Sequence, residues 1–114
     1  MRKVLVVDDE FLVRVGIKSF LNWEENGYTI IGEAADGRQA LEIMERELPD
    51  VVLTDLKMDG MDGFELIQVS RKRFPTVQFV VLSSFEDGEN VKRAMKLGAA
   101  DYIFKLTSKP EELL

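Results

Sequence analysis

The sequence predicts a doubly wound α/β fold, a three-layer sandwich in which helices cover both faces of a five-stranded parallel sheet. Strand-like and helix-like patterns alternate five times along the 114 residues, as they do in successive βα units. The strand-like runs are almost continuously aliphatic, which is typical of strands buried on both faces of a parallel sheet. No linker interrupts the pattern, so we expect one domain over residues 1–114.

Five short runs are the predicted strands, and each stops at polar or turn-forming residues. In chain order they are Lys3–Val7, Thr29–Glu33, Val51–Thr54, Gln78–Leu82 and Tyr102–Phe104. Crossovers between parallel strands are right-handed, so the intervening helices are expected on the two sides of the sheet.

The first two helices follow from apolar spacing and capping residues. The first is predicted over Phe11–Leu21, and the second opens with a capping-box spacing at Asp36 and Gln39 and stops at Pro49. The face of the first helix that should meet the sheet consists of Val13, Ile17, Phe20 and Leu21. The apolar positions of the second helix are Ala40, Leu41, Met44 and Leu48.

The later helices carry similar signals. The third has a capping-box spacing at Asp62 and Glu65 and ends before Pro75, and the fourth is expected over Asp87–Leu97 with Gly98 as its C-cap. A fifth should start at Pro110, a favourable first-turn residue, and it is cut off after Leu114, so we expect it to be truncated. The inward residues predicted for the fourth helix are Val91, Ala94 and Met95.

Composition excludes several classes of function. The chain has no cysteine and no histidine, which rules out disulfides, thiolate sites, imidazole zinc sites and histidine-dependent triads. The net charge is −6 and the basic residues are scattered, so this segment is not expected to bind nucleic acid. No apolar run approaches the length of a membrane span. We expect a cytoplasmic protein that does not enter a membrane.

Carboxylates close two of the predicted strands. Asp8 and Asp9 follow the first strand, and Asp55 ends the third. These strands are neighbours in a doubly wound sheet, and ligands bind at the carboxyl edge of such a sheet. Any one of these residues could equally be a solvated strand end, but three together favour a site that binds a hard cation through oxygen, most simply Mg²⁺.

Two further polar residues lie at the same edge. Ser83 follows the fourth strand and Lys105 follows the fifth. Taken singly, they would be a turn residue and a surface charge. Beside a carboxylate and a cation, however, a hydroxyl and an ammonium form a site that can bind a phosphoryl group.

With these motifs together, the sequence resembles the receiver domain of two-component response regulators. The resemblance covers essentially the whole chain, and the receiver fold it implies is the flavodoxin-like (βα)5 sandwich. The motifs that carry it are Val7–Glu10, Thr54–Gly63, Leu82–Ser84 and Gly98–Lys105.

The resemblance implies a role for each residue of the site. Asp55 would accept a phosphoryl group from a histidine kinase, and Lys105 would contact the phosphoryl oxygens. Asp9 and Asp55 would bind Mg²⁺ directly with the backbone carbonyl of Lys57, while Asp8 would act through a water. Ser83 and Tyr102 would be the switch pair.

Two positions depart from the family pattern. Leu106 replaces the proline that usually follows the active-site lysine in a cis peptide. A cis bond before a non-proline residue costs about 3–4 kcal/mol, so a trans Lys105–Leu106 bond is favoured and the geometry of this loop stays open. Asp59 replaces another proline, and we expect its carboxylate to face water.

A narrower resemblance concerns the expected partners. The stretches Ile17–Trp23 and Gly27–Tyr28 look like those of receivers attached to AraC-type helix-turn-helix domains. The implied partners are a cognate sensor kinase and a C-terminal DNA-binding domain after residue 114. A second copy of the chain is a further candidate partner on phosphorylation.

The first helix also has a second stripe, formed by Phe11, Arg14, Val15 and Lys18 at i, i+3, i+4, i+7 spacing. Its two apolar residues should not meet the sheet. They are either ordinary exposed hydrophobic residues or part of a surface beside Asp9 on which the kinase docks.

Two other functions remain as alternatives. The first is a Mg²⁺-dependent phosphohydrolase that also forms an aspartyl phosphate, but such hydrolases typically need an aspartate where this chain has Lys57. The second is an unphosphorylated pseudo-receiver that acts only as an interaction module. Retention of Asp8, Asp9, Asp55, Ser83 and Lys105 argues against the second alternative, and Leu106 keeps it open.

Overall fold

A computed structural model describes residues 1–20, 22–84 and 88–104 and confirms the predicted fold class. Nine elements alternate along the chain: β1 (Arg2–Val7), α1 (Phe11–Phe20), β2 (Tyr28–Ala34), α2 (Gly37–Arg46), β3 (Val51–Asp55), α3 (Gly63–Arg73), β4 (Gln78–Ser83), α4 (Gly88–Leu97) and β5 (Asp101–Phe104). None of the helices in these ranges is long and apolar enough to cross a membrane. The predicted fifth helix from Pro110 and the predicted core residue Leu21 lie outside the described residues.

The five strands form one parallel sheet in the order β2-β1-β3-β4-β5. The central pairing of β1 with β3 brings Val7 beside Thr54, so the residues that follow each strand emerge at the same edge. The predicted adjacency of the first and third strands is therefore confirmed, and with it the basis for a shared site.

The larger part of the core lies between the sheet and helices α2, α3 and α4. Residues such as Val52 and Val81 of the sheet pack there against Met44 and Ile67. The opposite face carries α1, whose Ile17 packs near Val6 and Leu53, with Trp23 beside them. The aliphatic residues of β1, β3 and β4 are thus covered on both sides, as their continuous hydrophobic pattern predicted, whereas Ile103 of β5 is exposed.

The helix caps agree with the sequence signals. Asp36 accepts a hydrogen bond from the Gln39 N–H at 2.9 Å, and Asp62 accepts one from the Glu65 N–H at 3.0 Å. Gly98 follows α4 with φ of 116°, the left-handed conformation in which glycine commonly ends a helix.

Two side-chain contacts attach α4 to α3. The Arg71 guanidinium of α3 donates to the Leu97 carbonyl at 2.6 Å, which satisfies an orphan carbonyl at the end of α4. The Arg93 guanidinium of α4 lies 4.0 Å from the centre of the Phe64 ring, close enough for a cation–π interaction. Both contacts are in the second half of α4.

The prediction of burial is wrong for three residues. Phe20, the last residue of α1, is exposed, whereas Trp23 packs on the same side of the sheet as Ile17 and donates its indole N–H to the Ile17 carbonyl at 3.0 Å. Leu48 is exposed because α2 ends at Arg46, so that residue no longer follows the helical face. Met95 is exposed because it sits one position, about 100° of helical rotation, beyond the buried Ala94.

Candidate functional site

The three predicted carboxylates converge at the carboxyl edge of the sheet. Each of Asp8, Asp9 and Asp55 offers an oxygen within 4.8 Å of those of the other two. Asp8 is fully buried, Asp55 is 7% exposed, and Asp9 is exposed to solvent. The cluster is thus anchored in the protein and open to water on one side, as a site for a cation requires.

Backbone N–H groups orient the two buried carboxylates. The Glu10 N–H donates to Asp8 Oδ1 at 2.9 Å, and the Leu56 N–H donates to Asp55 Oδ1 at 2.7 Å. These hydrogen bonds fix the direction in which each carboxylate points, because the donors belong to the same turns as the acceptors.

The loop after Asp55 is held by close backbone contacts. The Gly63 N–H donates to the Leu56 carbonyl at 2.9 Å, and the Gly37 N–H of α2 donates to the Met61 carbonyl at 2.8 Å. A Cβ at position 63 would lie 2.2 Å from the Asp55 carbonyl oxygen, closer than atoms can approach. Gly63 is therefore the residue that lets α3 begin directly against the end of β3.

Two residues of this loop occupy the solvent side of the site. Lys57 is exposed, and Asp59 is exposed as expected for a carboxylate that faces water. Sequence reasoning included Gly63 in the family-like motif but assigned it no role. A glycine at the start of the helix that follows Asp55 was the available signal in the sequence. The close approach of the two backbones, however, is visible only in the structure.

The β4 side of the site differs from the acidic side. Ser83 is fully buried, and its hydroxyl has no hydrogen-bond partner among the described residues. Tyr102 of β5 is 42% exposed and lines an open groove of about 470 Å³ with Val91 and Met95 of α4. Lys105 and Leu106 lie outside the described residues, so the predicted place of the ammonium and the Lys105–Leu106 peptide geometry stay predictions.

The second stripe of α1 divides into exposed apolar and paired basic residues. Phe11 is 62% exposed and Val15 is 37% exposed. Arg14 and Lys18 both form ion pairs with Glu33 of β2, at 3.0 and 2.5 Å. The hydrogen bond from Lys18, and with a smaller effect that from Arg14, holds the pKa of Glu33 below its usual value although burial raises it.

Arg14 also reaches the acidic cluster. Its Nη1 donates to the backbone carbonyl of Asp8 at 2.5 Å. Helical spacing alone gave no sign of this contact, since the sequence pattern assigned Arg14 to an outward stripe. The residue is close to the site because α1 starts only three residues after Asp8.

Comparisons with known proteins identify what this arrangement resembles. Residues 4–114 match the family described as the response regulator receiver domain. The chain is 43% identical over 105 residues to the uncharacterized transcriptional regulatory protein YesN of Bacillus subtilis (strain 168), covering 92% of this chain and 28% of YesN. It is 42% identical over 106 residues to the response regulator protein VraR of Staphylococcus epidermidis (strain ATCC 35984), covering 93% of this chain and 50% of VraR.

A solved structure shows the same fold. The REC domain of AraT, a response regulator from Geobacillus stearothermophilus, matches with a TM-score of 0.86 at 35% identity, covering 98% of this chain and 86% of that one. The chain spans at most about half the length of the two curated relatives named above.

Proposed function

The chain belongs to the response regulator receiver domain family, and on that premise we propose that Asp55 accepts a phosphoryl group from a sensor histidine kinase in a Mg²⁺-dependent reaction. The phosphorylated domain then changes conformation and controls an attached DNA-binding domain. It catalyses only its own phosphorylation and dephosphorylation, and it is not an enzyme that turns over external substrates. The proposal puts it in the cytoplasm.

The convergence of Asp8, Asp9 and Asp55 is the observation that carries this proposal. Carboxylates within 4.8 Å of one another repel, and a bound cation removes that cost. The oxygen-only donor set fits Mg²⁺, which when bound would neutralise charge on the phosphoryl oxygens. In the proposed site Asp9, Asp55 and the carbonyl of Lys57 would hold the ion, and Asp8 would act through a water.

Asp55 is the nucleophile of the proposed reaction. One carboxylate oxygen bonds to phosphorus as the bond from phosphorus to the donor atom breaks, and the leaving group keeps the electron pair. The product is an acyl phosphate. The Leu56 N–H, 2.7 Å from Oδ1, orients the carboxylate, and Lys105 is proposed to pair with the transferred phosphoryl oxygens.

Ser83 and Tyr102 form the proposed switch. The Ser83 hydroxyl has no partner among the described residues, so donating to a phosphoryl oxygen would cost it no existing hydrogen bond there. Its movement toward Asp55 would leave space into which the half-exposed Tyr102 ring can turn. The surface formed by α4 and β5 would then change shape, which is how a local charge change acts on a distant partner.

Acetyl phosphate with Mg²⁺ provides the direct test. Intact-mass spectrometry should show one added phosphoryl group on the wild type, none on Asp55→Asn, and one on Asp59→Asn, which removes a nearby exposed carboxylate instead. Labelling that persists in Asp55→Asn would refute the assignment. A wild type that takes no label would favour the pseudo-receiver alternative, and steady turnover of phosphate esters would favour the hydrolase.

The kinase is proposed to dock on the α1 stripe of Phe11, Arg14, Val15 and Lys18. Since both basic residues pair with Glu33, the exposed apolar side chains are expected to carry the contact. Serine at positions 11 and 15 should slow transfer from the cognate kinase and spare labelling by acetyl phosphate, while Phe20→Ser on the same helix should affect neither. Equal slowing of both routes by the double variant would contradict docking there.

The output domain is proposed to follow residue 114 and to bind DNA. YesN is a transcriptional regulatory protein by name and much longer than this chain, which supports that arrangement. The Ile17–Trp23 and Gly27–Tyr28 stretches are the basis for proposing an AraC-type domain, and a second copy of the chain is proposed as a partner on phosphorylation. The receiver segment itself, with its net charge of −6, is expected to have no specific affinity for DNA.

A further inference from the structure

Two hydrogen bonds fix the Arg14 guanidinium beside the acidic cluster. Nη1 donates to the Asp8 carbonyl at 2.5 Å, and Nε donates to Glu33 Oε1 at 3.0 Å. The guanidinium carbon also lies 5.6 Å from the centre of the Phe11 ring. The side chain is only 15% exposed, so little of this cation faces water or a docking partner.

Glu33 ties the guanidinium to the sheet. It lies in β2 in register with Val6 of β1, and its second carboxylate oxygen accepts a hydrogen bond from Lys18 at 2.5 Å. An arginine that donates through two nitrogens to two fixed acceptors loses its rotational freedom and holds both acceptors in place. The arrangement therefore joins α1, β2 and the carboxyl end of β1 through one side chain.

The carbonyl of Asp8 belongs to the peptide unit that joins Asp8 to Asp9. A peptide unit is planar, so a hydrogen bond that holds its oxygen restricts the rotation of the whole plane and, with it, the position from which the Asp9 side chain starts. On the other side of Asp8, its N–H donates to the Ala34 carbonyl at 3.0 Å. Arg14 thus holds the peptide that leads from the buried carboxylate to the exposed one.

We propose that Arg14 is a positioning residue for the divalent-cation site and acts through the Asp8–Asp9 peptide, with Glu33 as the group that holds it. This inference rests on the proposed function, since it concerns the site assigned there to Mg²⁺. It gives Arg14 a role that is independent of kinase docking.

Charge and position predict opposite effects of removing Arg14. A cation beside three carboxylates lowers their attraction for Mg²⁺ by Coulomb repulsion. If charge were its only influence, Arg14→Ala would bind Mg²⁺ more tightly. If the guanidinium positions Asp8 and Asp9, the same substitution would weaken binding, because the ligands would no longer be held together in advance.

The test is a Mg²⁺ titration followed by amide chemical shifts. Arg14→Ala should bind about tenfold more weakly, the lower part of the range seen when groups that orient metal ligands are removed. Glu33→Gln should show a smaller loss in the same direction. The control is Arg38→Ala, which removes an exposed arginine that pairs with Glu42 on the same helix, and it should bind as the wild type does. Unchanged or tighter binding by Arg14→Ala would overturn the proposal.

A measurement on the metal-free protein separates this inference from the proposed function. The Glu10 N–H donates to Asp8 Oδ1, so its hydrogen exchange should be faster in Arg14→Ala than in the wild type and Arg38→Ala. Unchanged exchange would also count against positioning. A wild type that binds no Mg²⁺ would refute the metal site while the exchange comparison still decides the role of Arg14.

Arg14→Lys keeps the experiment decisive if the alanine variant fails to fold. Lysine retains the positive charge but carries one ammonium in place of the fork that reaches both acceptors. Positioning predicts weaker Mg²⁺ binding and faster Glu10 exchange for Arg14→Lys, with unfolding by urea near that of the wild type. Wild-type values for both readouts in this variant would overturn the proposal.

Discussion

The two halves of the candidate site are built differently. On the β1 and β3 side, backbone N–H groups orient Asp8 and Asp55, and Gly63 packs against the backbone of Asp55. On the β4 and β5 side, the buried Ser83 hydroxyl has no partner among the described residues, and Tyr102 is half-exposed. The first half is organised before any ligand arrives, whereas the second holds a buried hydroxyl that could donate to a phosphoryl oxygen.

This difference indicates that the Ser83 side of the site provides the free energy for the response to phosphorylation. A buried polar group without a partner costs about 1–3 kcal/mol, and a phosphoryl oxygen near Ser83 would remove that cost only in the phosphorylated protein. We therefore expect substitutions in the first half to impair phosphorylation itself, and substitutions in the second to impair the response to it.

Gly63→Ala should have the largest effect, because it breaks the ordered half. The added methyl group would lie 2.2 Å from the Asp55 carbonyl oxygen and 2.8 Å from the Leu56 Cα. Overpacking of this kind typically costs about 1–3 kcal/mol, and the resulting shift of Asp55 should slow labelling by acetyl phosphate. Urea unfolding and the labelling rate measure the two consequences.

The matched control for this prediction is Gly16→Ala. Nothing lies within 4 Å of a Cβ at position 16, and alanine in an exposed helix is favoured over glycine by about 0.5–1 kcal/mol. This variant should be more stable and label at the wild-type rate. Wild-type stability and labelling in Gly63→Ala would show that the close approach at β3 does not organise the site.

Ser83→Ala should have an effect of intermediate size: it should leave phosphorylation of Asp55 intact and abolish the conformational response to it. Removing a buried hydroxyl that has no hydrogen-bond partner in the described part of the chain should leave the free energy of unfolding unchanged or raise it by up to about 1 kcal/mol. Labelling of Asp55 should continue, but the amide chemical-shift changes of α4 and β5 on phosphorylation should be lost.

Ser70→Ala is the control for the loss of a hydroxyl as such. Ser70 of α3 is also fully buried, and its Oγ has no hydrogen-bond partner among the described residues. Its alanine variant should match Ser83→Ala in stability but retain the full response. A retained response in Ser83→Ala would refute its place in the switch.

The smallest expected effect is on the pH dependence of stability. It tests the contribution of Glu33, which holds Arg14 beside the ordered half of the site. The pKa of Glu33 is lower in the folded protein than its ordinary 4.5, so the unfolded chain binds more protons near that pH. The contribution of Glu33 is therefore complete above pH 4.5 and is lost as pH falls through the folded-state pKa. For a partly exposed pair it should be below about 1 kcal/mol.

Urea unfolding between pH 3 and pH 6 tests this prediction. The free energy of unfolding of Glu33→Gln should fall less steeply with decreasing pH than that of the wild type. Glu42→Gln, which removes an exposed carboxylate in a long 3.9 Å ion pair, should show the wild-type pH dependence. The same pH dependence in Glu33→Gln and the wild type would contradict the contribution assigned to Glu33.

Some parts of this site could be predicted from the sequence because they depend on local order along the chain. Continuous aliphatic runs located the five strands to within one or two residues, and the carboxylates that close two of them had to meet once those strands were neighbours. Caps at Asp36 and Asp62 could be predicted for the same reason, since each hydrogen bond spans only three residues.

Other parts depend on groups far apart in the sequence. Phe20 has the spacing of a core residue but is exposed, and it is Trp23, six residues after Ile17, that packs beside Ile17. Arg14 follows the pattern of an outward stripe, although its length lets it bend back to Asp8 and Glu33. The Cβ clash at Gly63 depends on the path of β3, and no periodicity encodes it.

The attachment of α4 to α3 has a mechanical consequence. Arg71 holds the Leu97 end of α4 and Arg93 holds its middle, while the Gly88 end lies nearest in sequence to Ser83. The helix has ten residues and is about 15 Å long. Because both contacts restrain its second half, a small rotation of α4 displaces the Gly88 end furthest. Distances between spin labels should therefore change most at the Gly88 end on phosphorylation, while the two arginines hold the other end in place.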